Sequence, residues 1–372
     1  MMKEKISLNQ LLALIIGFNL GSSVVLGIGL NGKQDAWVVV LVSSIIGLAI
    51  VLAYHYLHSF FPEKNLYELM EYCFNRPLAI FFSFVYIVYF FYLAARVIRD
   101  FIEMTSTIIM PNTPIEVLTL AIMLAIAYIL FLGIEVLGRT TEIFTPYSII
   151  FFVLLAIFLY ASRNFTVENI TPVLSNGVKP LMKVIFPYEL VRPYGQIIAF
   201  NCVFPLLANF KKSNNVLIFG IILSGFFLTV ATLVVTLSLG SNIASRATFP
   251  LLSATRLIAI GEFIERIDAI TVFIILLGIL VKSSVFIFAG LKGLEYVCKI
   301  PYRSFTIPIM CIITLFTVFI ARGISDHVLE GFQVIPYFLN LPLQFFIPMI
   351  MLFILLVKKA TSKGKTTHAS KN

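Results

Sequence analysis

The sequence predicts an all-α integral membrane protein with about ten transmembrane helices. Apolar residues make up 60% of the 372 residues and charged residues only 12%, about half of the ~25% that is typical of a soluble domain. The apolar residues come in long blocks, and about 20 apolar residues cross the ~30 Å hydrocarbon core as one helix. We therefore expect one transmembrane domain over residues 1–357, followed by a basic tail over residues 358–372.

The expected spans cover approximately residues 8–30, 36–57, 79–109, 115–134, 143–161, 184–209, 214–239, 268–296, 304–322 and 337–357. An even number of spans puts both termini on one side. The loops on that side are rich in basic residues, namely Lys3, Lys5, Lys64, Arg76, Arg139, Lys211, Lys212, Lys299 and Arg303. The opposite short loops contain few, and basic loops stay in the cytoplasm. Both termini are therefore predicted to be cytoplasmic.

Two segments on the outer side are long enough to contain structure of their own. Residues 164–187 are polar and include Pro172 and Pro180, which favours an irregular loop with a short helix. Residues 253–266 place Leu257, Ile260 and Ile264 on one helical face. That pattern predicts an amphipathic helix at the membrane interface that leads into the eighth span.

The first and sixth spans are expected to be interrupted. The first contains Gly17, Asn19, Gly21, Ser22, Ser23, Gly27 and Gly29, and the sixth contains Pro187, Pro193, Gly195, Asn201 and Pro205. Counted in fives, the two spans occupy corresponding positions in two halves of the chain, which indicates an inverted-repeat transporter fold with its ligand at the breaks. An unwound turn frees peptide groups that hydrocarbon cannot satisfy and a polar ligand can. Tight helix packing is the alternative explanation for the small residues.

The third span has the highest density of charge. The charged residues are spaced three and four apart on one helical face, which predicts the pairs Arg96 with Asp100 and Arg99 with Glu103. Charges that face lipid are costly, so this face should point into the bundle or into water. Alternatively the span ends near Ala95 and the charges are solvated. The same stripe continues inward through Tyr86, Tyr89 and Leu93.

Lys282 lies near the centre of the eighth span, with apolar neighbours for more than two turns on both sides. It cannot easily reach either membrane surface, so it must pair, lose its proton or face water. It could replace a coupling cation, act as a proton site or contact an anionic group of a ligand. A structural ion pair is the alternative.

Other chemistry finds no support in the sequence. His55 and His58 are expected at the membrane interface, with His327 in a loop and His368 in the tail, and no nucleophile has a plausible base nearby. The cysteines are widely spaced, which indicates free thiols and no metal site. The net charge of +9 is spread over loops and is not gathered in a patch for nucleic acid. We expect no enzyme activity, no cofactor and no nucleic-acid partner.

An ordered set of short motifs resembles a known family. The motifs are Ile6-Ser7-Leu8-Asn9-Gln10, Asn19-Leu20-Gly21-Ser22, Gln34-Asp35-Ala36-Trp37, Phe61-Pro62, Tyr67-Glu68-Leu69, Pro111-Asn112-Thr113-Pro114, Asn169-Ile170-Thr171-Pro172, Phe249-Pro250 and Phe263-Ile264-Glu265-Arg266. Together they resemble the B subunits of bacterial spore germinant receptors, a branch of the amino acid, polyamine and organocation transporter superfamily. The resemblance covers nearly the whole chain in order.

The resemblance implies a five-plus-five inverted repeat of the LeuT type, with broken helices one and six. It also implies a site for a small nutrient germinant, either an amino acid or a sugar, and assembly with A and C subunits in the spore inner membrane. The ligand-binding candidates carried over are Gly21, Ser22, Tyr89, Leu93, Phe200, Asn201 and Lys282. The function expected is therefore ligand sensing that triggers germination with partner subunits. A proton-coupled secondary transporter of amino acids or related solutes is the alternative.

Overall fold

The computed structural model describes residues 4–162, 164–258 and 268–369. Within these residues, nine helices are long and apolar enough to cross a membrane. In the first half of the chain they are α1 (Leu8–Leu26), α2 (Ala36–Ser59), α4 (Arg76–Met104), α5 (Ile115–Leu132) and α6 (Ile134–Ala161), with the short helix α3 (Leu66–Cys73) between α2 and α4. The multi-pass helical architecture that the sequence predicts is confirmed.

The second half of the chain begins with the short helix α7 (Val178–Val184) and the irregular sixth span at 185–206. The next elements are α8 (Phe210–Leu239), α9 (Ser241–Ala244), α10 (Pro250–Thr255), α11 (Asp268–Cys298), α12 (Tyr302–Phe319) and α13 (Ile324–Gln333). The tenth span starts with wide helical turns over Pro336–Phe346 and continues as α14 (Ile347–Ala369). Most of the amphipathic helix expected over residues 253–266 lies outside the described residues.

Helix α6 begins nine residues earlier than the sequence predicts. The polar stretch around Arg139 suggests a loop before a span at 143, but it forms the first turns of a helix that starts at Ile134. Arg139 and Glu135 stand one turn apart and form an ion pair of 2.6 Å, which is a spacing that supports a helix. Polar residues here mark the part of α6 that extends beyond the hydrocarbon.

Helices α1 and α11 form the centre of the bundle. In each, 72% of the most apolar stretch is buried inside the protein, whereas the corresponding value for α6 is 17%. α11 packs against α1 and α4, and α1 also packs against α6 and α8. Most side chains of α1 and α11 therefore face protein and not lipid, so polar groups on these two helices can be accommodated deep in the membrane.

At the end of the bundle that contains the N-terminus, residues 4–7 contact the end of the sixth span. The Ile6 amide donates to the Leu206 carbonyl at 2.8 Å, and the Ala208 amide donates to the Ile6 carbonyl at 3.0 Å. Ser7 caps α1 through a capping box with Gln10, which satisfies two free amides of the first turn. The chain before α1 is thus attached directly to the end of the sixth span.

Candidate functional site

Helix α1 is broken at Gly21, where it touches α11. Gly21 has φ −29° and ψ −111°, outside helical values. A Cβ atom at this position would lie 2.9 Å from the Gly278 carbonyl oxygen and 3.1 Å from Lys282 Cδ. Only glycine fits such a close approach of two backbones. The break expected in the first span is therefore present, and it faces α11.

Lys282 lies on α11 beside this break and has no exposed surface. Its Nζ donates to Ser22 Oγ at 3.0 Å and lies 5.3 Å from the centre of the Phe18 ring. No ion pair of Lys282 is found among the described residues. An ammonium group can donate three hydrogen bonds, so Lys282 retains donors that a bound oxygen atom could accept.

The sixth span changes helix type repeatedly between Ile185 and Leu206. It runs through wide turns over Ile185–Tyr194 and tight turns over Gly195–Cys202 and Phe204–Leu206, with non-helical dihedrals at Phe186 and Arg192. The prolines of this span cause the changes in helix type. Each proline removes a backbone hydrogen-bond donor, and its ring clashes with a carbonyl group of the preceding helical turn. The interruption predicted for the sixth span is therefore present as well.

The sixth span supplies both an aromatic contact and unpaired polar atoms. Phe200 packs edge-on against Phe18, with ring centres 5.2 Å apart. Asn201 is fully buried, and within the described part of the chain neither its amide oxygen nor its amide nitrogen has a hydrogen-bond partner. The same holds for two further buried atoms, Gln196 Oε1 and Ser23 Oγ. Because a buried polar group without a partner is costly, these atoms are candidates for contacting a polar ligand.

The predicted stripe on α4 lies against the tenth span. Tyr89 OH donates to Asn340 Oδ1 at 2.8 Å and accepts from Gln344 Nε2 at 2.7 Å. Tyr86 OH donates to the Leu343 carbonyl at 2.5 Å. Leu93 is buried one turn beyond Tyr89. The structure thus brings Gly21, Ser22 and Lys282 into contact and places Phe200 next to Phe18, whereas the Tyr89 hydroxyl bonds to the start of the tenth span.

The charged residues of the third span are buried within α4, so the alternative of a solvated extension is wrong. Arg99 pairs with Glu103 at 2.6 Å, as the spacing predicts. The expected pair of Arg96 with Asp100 is not formed. Arg96 instead pairs with Glu330 at 2.8 Å. The observed partner of Arg96 differs from the predicted one because α13 packs over this part of α4. It places the carboxylate of Glu330 beside Arg96, which the spacing of residues along α4 cannot predict.

One histidine also differs from expectation. His327 lies on α13, not in a loop, and its Nε2 is 2.6 Å from Asp100 Oδ1. His55 and His58 lie in the last turns of α2 and are buried in the protein. The ring of His55 stacks on Phe210, and its Nε2 is 2.8 Å from Ser213 Oγ. Within the part of the chain that the structure describes, no three His, Cys, Asp or Glu side chains form a metal site.

A cavity of about 470 Å³ opens at the end of the bundle opposite the N-terminus. We call it the vestibule, and its lining includes Gly29, Glu189, Arg246, Val328 and Phe332. The carboxylate of Glu189 accepts from the Gly29 amide at 2.9 Å. The vestibule is large enough for a small solute, and both polar and apolar side chains contact it.

A narrow polar neck continues from the vestibule toward the break in α1. The neck shares Glu189 and Phe332 with the vestibule and is also lined by Ser22, Ser23 and Arg192. The Arg192 guanidinium lies 4.7 Å from the centre of the Phe332 ring. The free volume of the neck is only about 10 Å³, so the neck is closed to anything larger than a water molecule. Ser22, the hydrogen-bond partner of Lys282, thus stands at the inner end of this path.

The sequence analysis missed several residues that line this path. Glu189 and Arg192 are charged side chains inside the predicted sixth span, and that position alone could have marked them. The neighbouring prolines predicted only an interruption of the backbone and not the role of these side chains. Phe18 gave no local signal, because an aromatic residue in an apolar helix is ordinary. Phe332 is recognisable only once α13 is placed over the vestibule.

Fold and site together define a membrane protein with the architecture of LeuT-type transporters. The crystal structure of MhsT in complex with L-phenylalanine matches 96% of this chain and 99% of its own, with a TM-score of 0.55 and 12% identity. Mhp1, a nucleobase-cation-symport-1 family transporter in a closed conformation, gives a TM-score of 0.61 at 10% identity over 88% of this chain and 75% of its own. At these identities the similarity establishes the fold, and the predicted fold class is confirmed.

The chain belongs to the spore germination protein family, whose family model matches residues 5–327. Spore germination protein KB of Bacillus subtilis is 32% identical over 374 residues, covering 100% of both chains. The present chain is thus a B-type spore germination protein, as the motifs in its sequence indicate.

Proposed function

We propose that this protein binds a small nutrient germinant at the break in α1 and transmits binding to partner subunits of a germinant receptor. One observation carries the proposal. The broken part of α1 lies against Lys282, whose ammonium has no ion-pair partner among the described residues, and this position lies at the inner end of a polar path from the vestibule. A polar solute there would accept hydrogen bonds from the donors of Lys282 that Ser22 does not use.

The proposed ligand contacts come from four spans. Gly21 and Ser22 belong to the first, Tyr89 and Leu93 to the third, Phe200 and Asn201 to the sixth and Lys282 to the eighth. The unpartnered amide of Asn201 and the spare donors of Lys282 favour a ligand with both acceptor and donor groups. Amino acids and sugars both meet this requirement.

Sensing in this proposal is a shift between two conformations. The neck is closed between the vestibule and Ser22, so a ligand reaches Lys282 only if the neck opens. A ligand that binds the opened form better would shift the population toward it. Partner subunits of the A and C type would respond to that shift in the spore inner membrane, with both termini of this chain in the cytoplasm. We propose no enzymatic activity.

The protein's ligand response is tested by thermal unfolding of purified protein with amino acids, sugars and nucleosides in turn. A ligand at 100 times its Kd stabilises the folded form by about 2.7 kcal/mol. Lys282→Ala and Gly21→Leu should abolish that stabilisation. Lys292→Ala is the matched control, because Lys292 lies on the same helix and pairs with Glu295. A ligand whose stabilisation survives both site variants would contradict the site.

A second candidate function is proton-coupled transport of amino acids or related solutes. The buried ammonium of Lys282 favours it, because a lysine inside the membrane can exchange a proton during a transport cycle. Uptake of radiolabelled solute into proteoliposomes containing this chain alone separates the two functions. Accumulation driven by a pH gradient and lost in Lys282→Ala would establish transport. Binding without accumulation would support sensing.

A further inference from the structure

A second group of cations without an ion-pair partner among the described residues lies where α2 and the apolar stretch of α14 end. Three lysines and three aromatic rings meet there, and we call them the basic aromatic cluster: Lys64, Lys358, Lys359, Phe60, Phe61 and Tyr72. The ammonium of Lys64 is 4.8 Å from the centre of the Phe61 ring and 5.1 Å from that of Tyr72. The ammonium of Lys358 is 4.6 Å from the Tyr72 ring centre. Two cations therefore share one aromatic ring.

The cluster is held together by contacts other than ion pairs. Lys358 Nζ donates to the Tyr72 carbonyl at 2.7 Å. The rings of Phe61 and Tyr72 lie 4.4 Å apart, and Lys359 Nζ is 5.1 Å from the centre of the Phe60 ring. These ring contacts attract ammonium groups but do not remove their positive charge. Among the described residues, the three lysines are thus held together by ring and carbonyl contacts and not by carboxylates.

The nearby carboxylates do not form direct ion pairs with these lysines in the part of the chain that the structure describes. Glu68 accepts from the Asn65 amide at 2.8 Å as part of the capping box of α3. Glu71 is exposed. Glu63 is exposed, and among the described residues none of these carboxylates forms an ion pair with a lysine of the cluster. The three lysines are therefore held without a direct ion-pair partner among the residues that the structure describes.

The position of the cluster identifies what can balance that charge. It lies at the ends of the apolar spans Leu30–Ser59 and Pro336–Thr361, which is the level of lipid headgroups. Tyr56, Phe353 and Leu356, one or two turns before these ends, expose large fractions of their side chains, 44%, 68% and 42%. This side of the protein therefore faces acyl chains directly below the lysines. An occupant must present an anionic group above hydrocarbon.

We propose that the basic aromatic cluster binds the phosphate headgroup of an anionic phospholipid. The lysines contact the phosphate, the aromatic rings hold the lysines at the interface, and the acyl chains lie along the exposed residues of α2 and α14. Anionic lipids are enriched on the cytoplasmic side, where basic residues near the membrane add about 1 kcal/mol of binding each. The cluster would tie α3 and α14 to the membrane surface.

The test compares two lipids that have the same acyl chains and differ in the net charge of their headgroups. Purified protein in an uncharged detergent is titrated with dioleoylphosphatidylglycerol or dioleoylphosphatidylcholine, and retained lipid is counted by native mass spectrometry. We expect the first lipid to bind and the second not to. Lys64→Gln with Lys358→Gln should weaken phosphatidylglycerol binding about 25-fold, or fivefold for each lysine. Lys64→Arg with Lys358→Arg should retain it.

Two controls make the result specific. Lys211 and Lys212 are exposed lysines in the first turn of α8 on the same side, and no aromatic contact of theirs is found among the described residues. Lys211→Gln with Lys212→Gln should change lipid binding less than twofold. Glycerol 1-phosphate at millimolar concentration should not compete, because it lacks acyl chains. Equal binding of both lipids, an equal loss in the control variant, or displacement by glycerol 1-phosphate would overturn the proposal.

Discussion

The contact between Gly21 and Gly278 predicts a steep cost for one added methyl group. In Gly21→Ala the new Cβ would stand 2.9 Å from the Gly278 carbonyl oxygen, about 0.5 Å inside an ordinary contact of 3.4–4 Å. The obstacle is backbone, so α1 and α11 must separate instead of a side chain rotating. Overpacking of this kind costs about 1 to 3 kcal/mol. We expect Gly21→Ala to lower the thermal midpoint of ligand-free protein by a few degrees.

Gly17→Ala is the matched control for this prediction. Gly17 lies one turn earlier on α1 and faces the same helix, but its added Cβ would meet only the side chain of Val281, at 3.2 Å. A valine side chain can shift by a few tenths of an ångström, so the expected loss is below about 1 kcal/mol. Thermal unfolding of both variants in the same detergent measures the difference. A loss in Gly17→Ala equal to that in Gly21→Ala would refute the argument from backbone contact.

Three further predictions concern buried charge and thiols. Lys282→Met removes an ammonium that has no ion-pair partner among the described residues, so ligand-free protein should be as stable or up to about 4 kcal/mol more stable; a lower thermal midpoint would contradict this. Arg99→Met leaves Glu103 buried without its partner and should lower the free energy of unfolding by about 3 to 5 kcal/mol. The double variant Arg99→Met with Glu103→Met should lower it by less. Equal losses in the two variants would mean that the pair is not coupled. Burial raises the pKa of the Cys73 thiol to about 11, so this thiol stays protonated and unreactive at neutral pH. A membrane-impermeant maleimide should instead label the exposed Cys298 in inverted vesicles. Labelling of Cys298 from the opposite face of the membrane would contradict the predicted topology.

The sequence was sufficient to predict most of the spans, because length and hydropathy determine which segments can cross a bilayer. It failed at the start of α6, where Arg139 and its polar neighbours suggest a loop although they form helical turns. It also missed that the tenth span begins with wide turns over Pro336–Phe346. Hydropathy does not distinguish helix types, so such features appear only in the backbone.

Part of the candidate site could also be predicted from the sequence, where the signal lies within one helix. The break at Gly21 and the buried position of Lys282 follow from residue types within single helices. The partner of Arg96 does not, because Glu330 lies 234 residues away and its contact depends on how α13 folds over α4. The spacing rule found Arg99 and Glu103 because both lie on one helix. Residues that meet only through tertiary packing, such as Phe332 at the vestibule, leave no local pattern.

The attachment of Ile6 to the end of the sixth span has a mechanical consequence. Ile6 hydrogen-bonds to residues on both sides of Leu207, and Ser7 directly after it caps α1. If the last turns of the sixth span swing outward, the beginning of α1 has to travel with them unless these bonds break. The first turns of α1 and the last turns of the sixth span are thus expected to move together as one rigid unit. A spectroscopic probe placed just ahead of Glu4 would sense rearrangements that begin two hundred residues later in the chain.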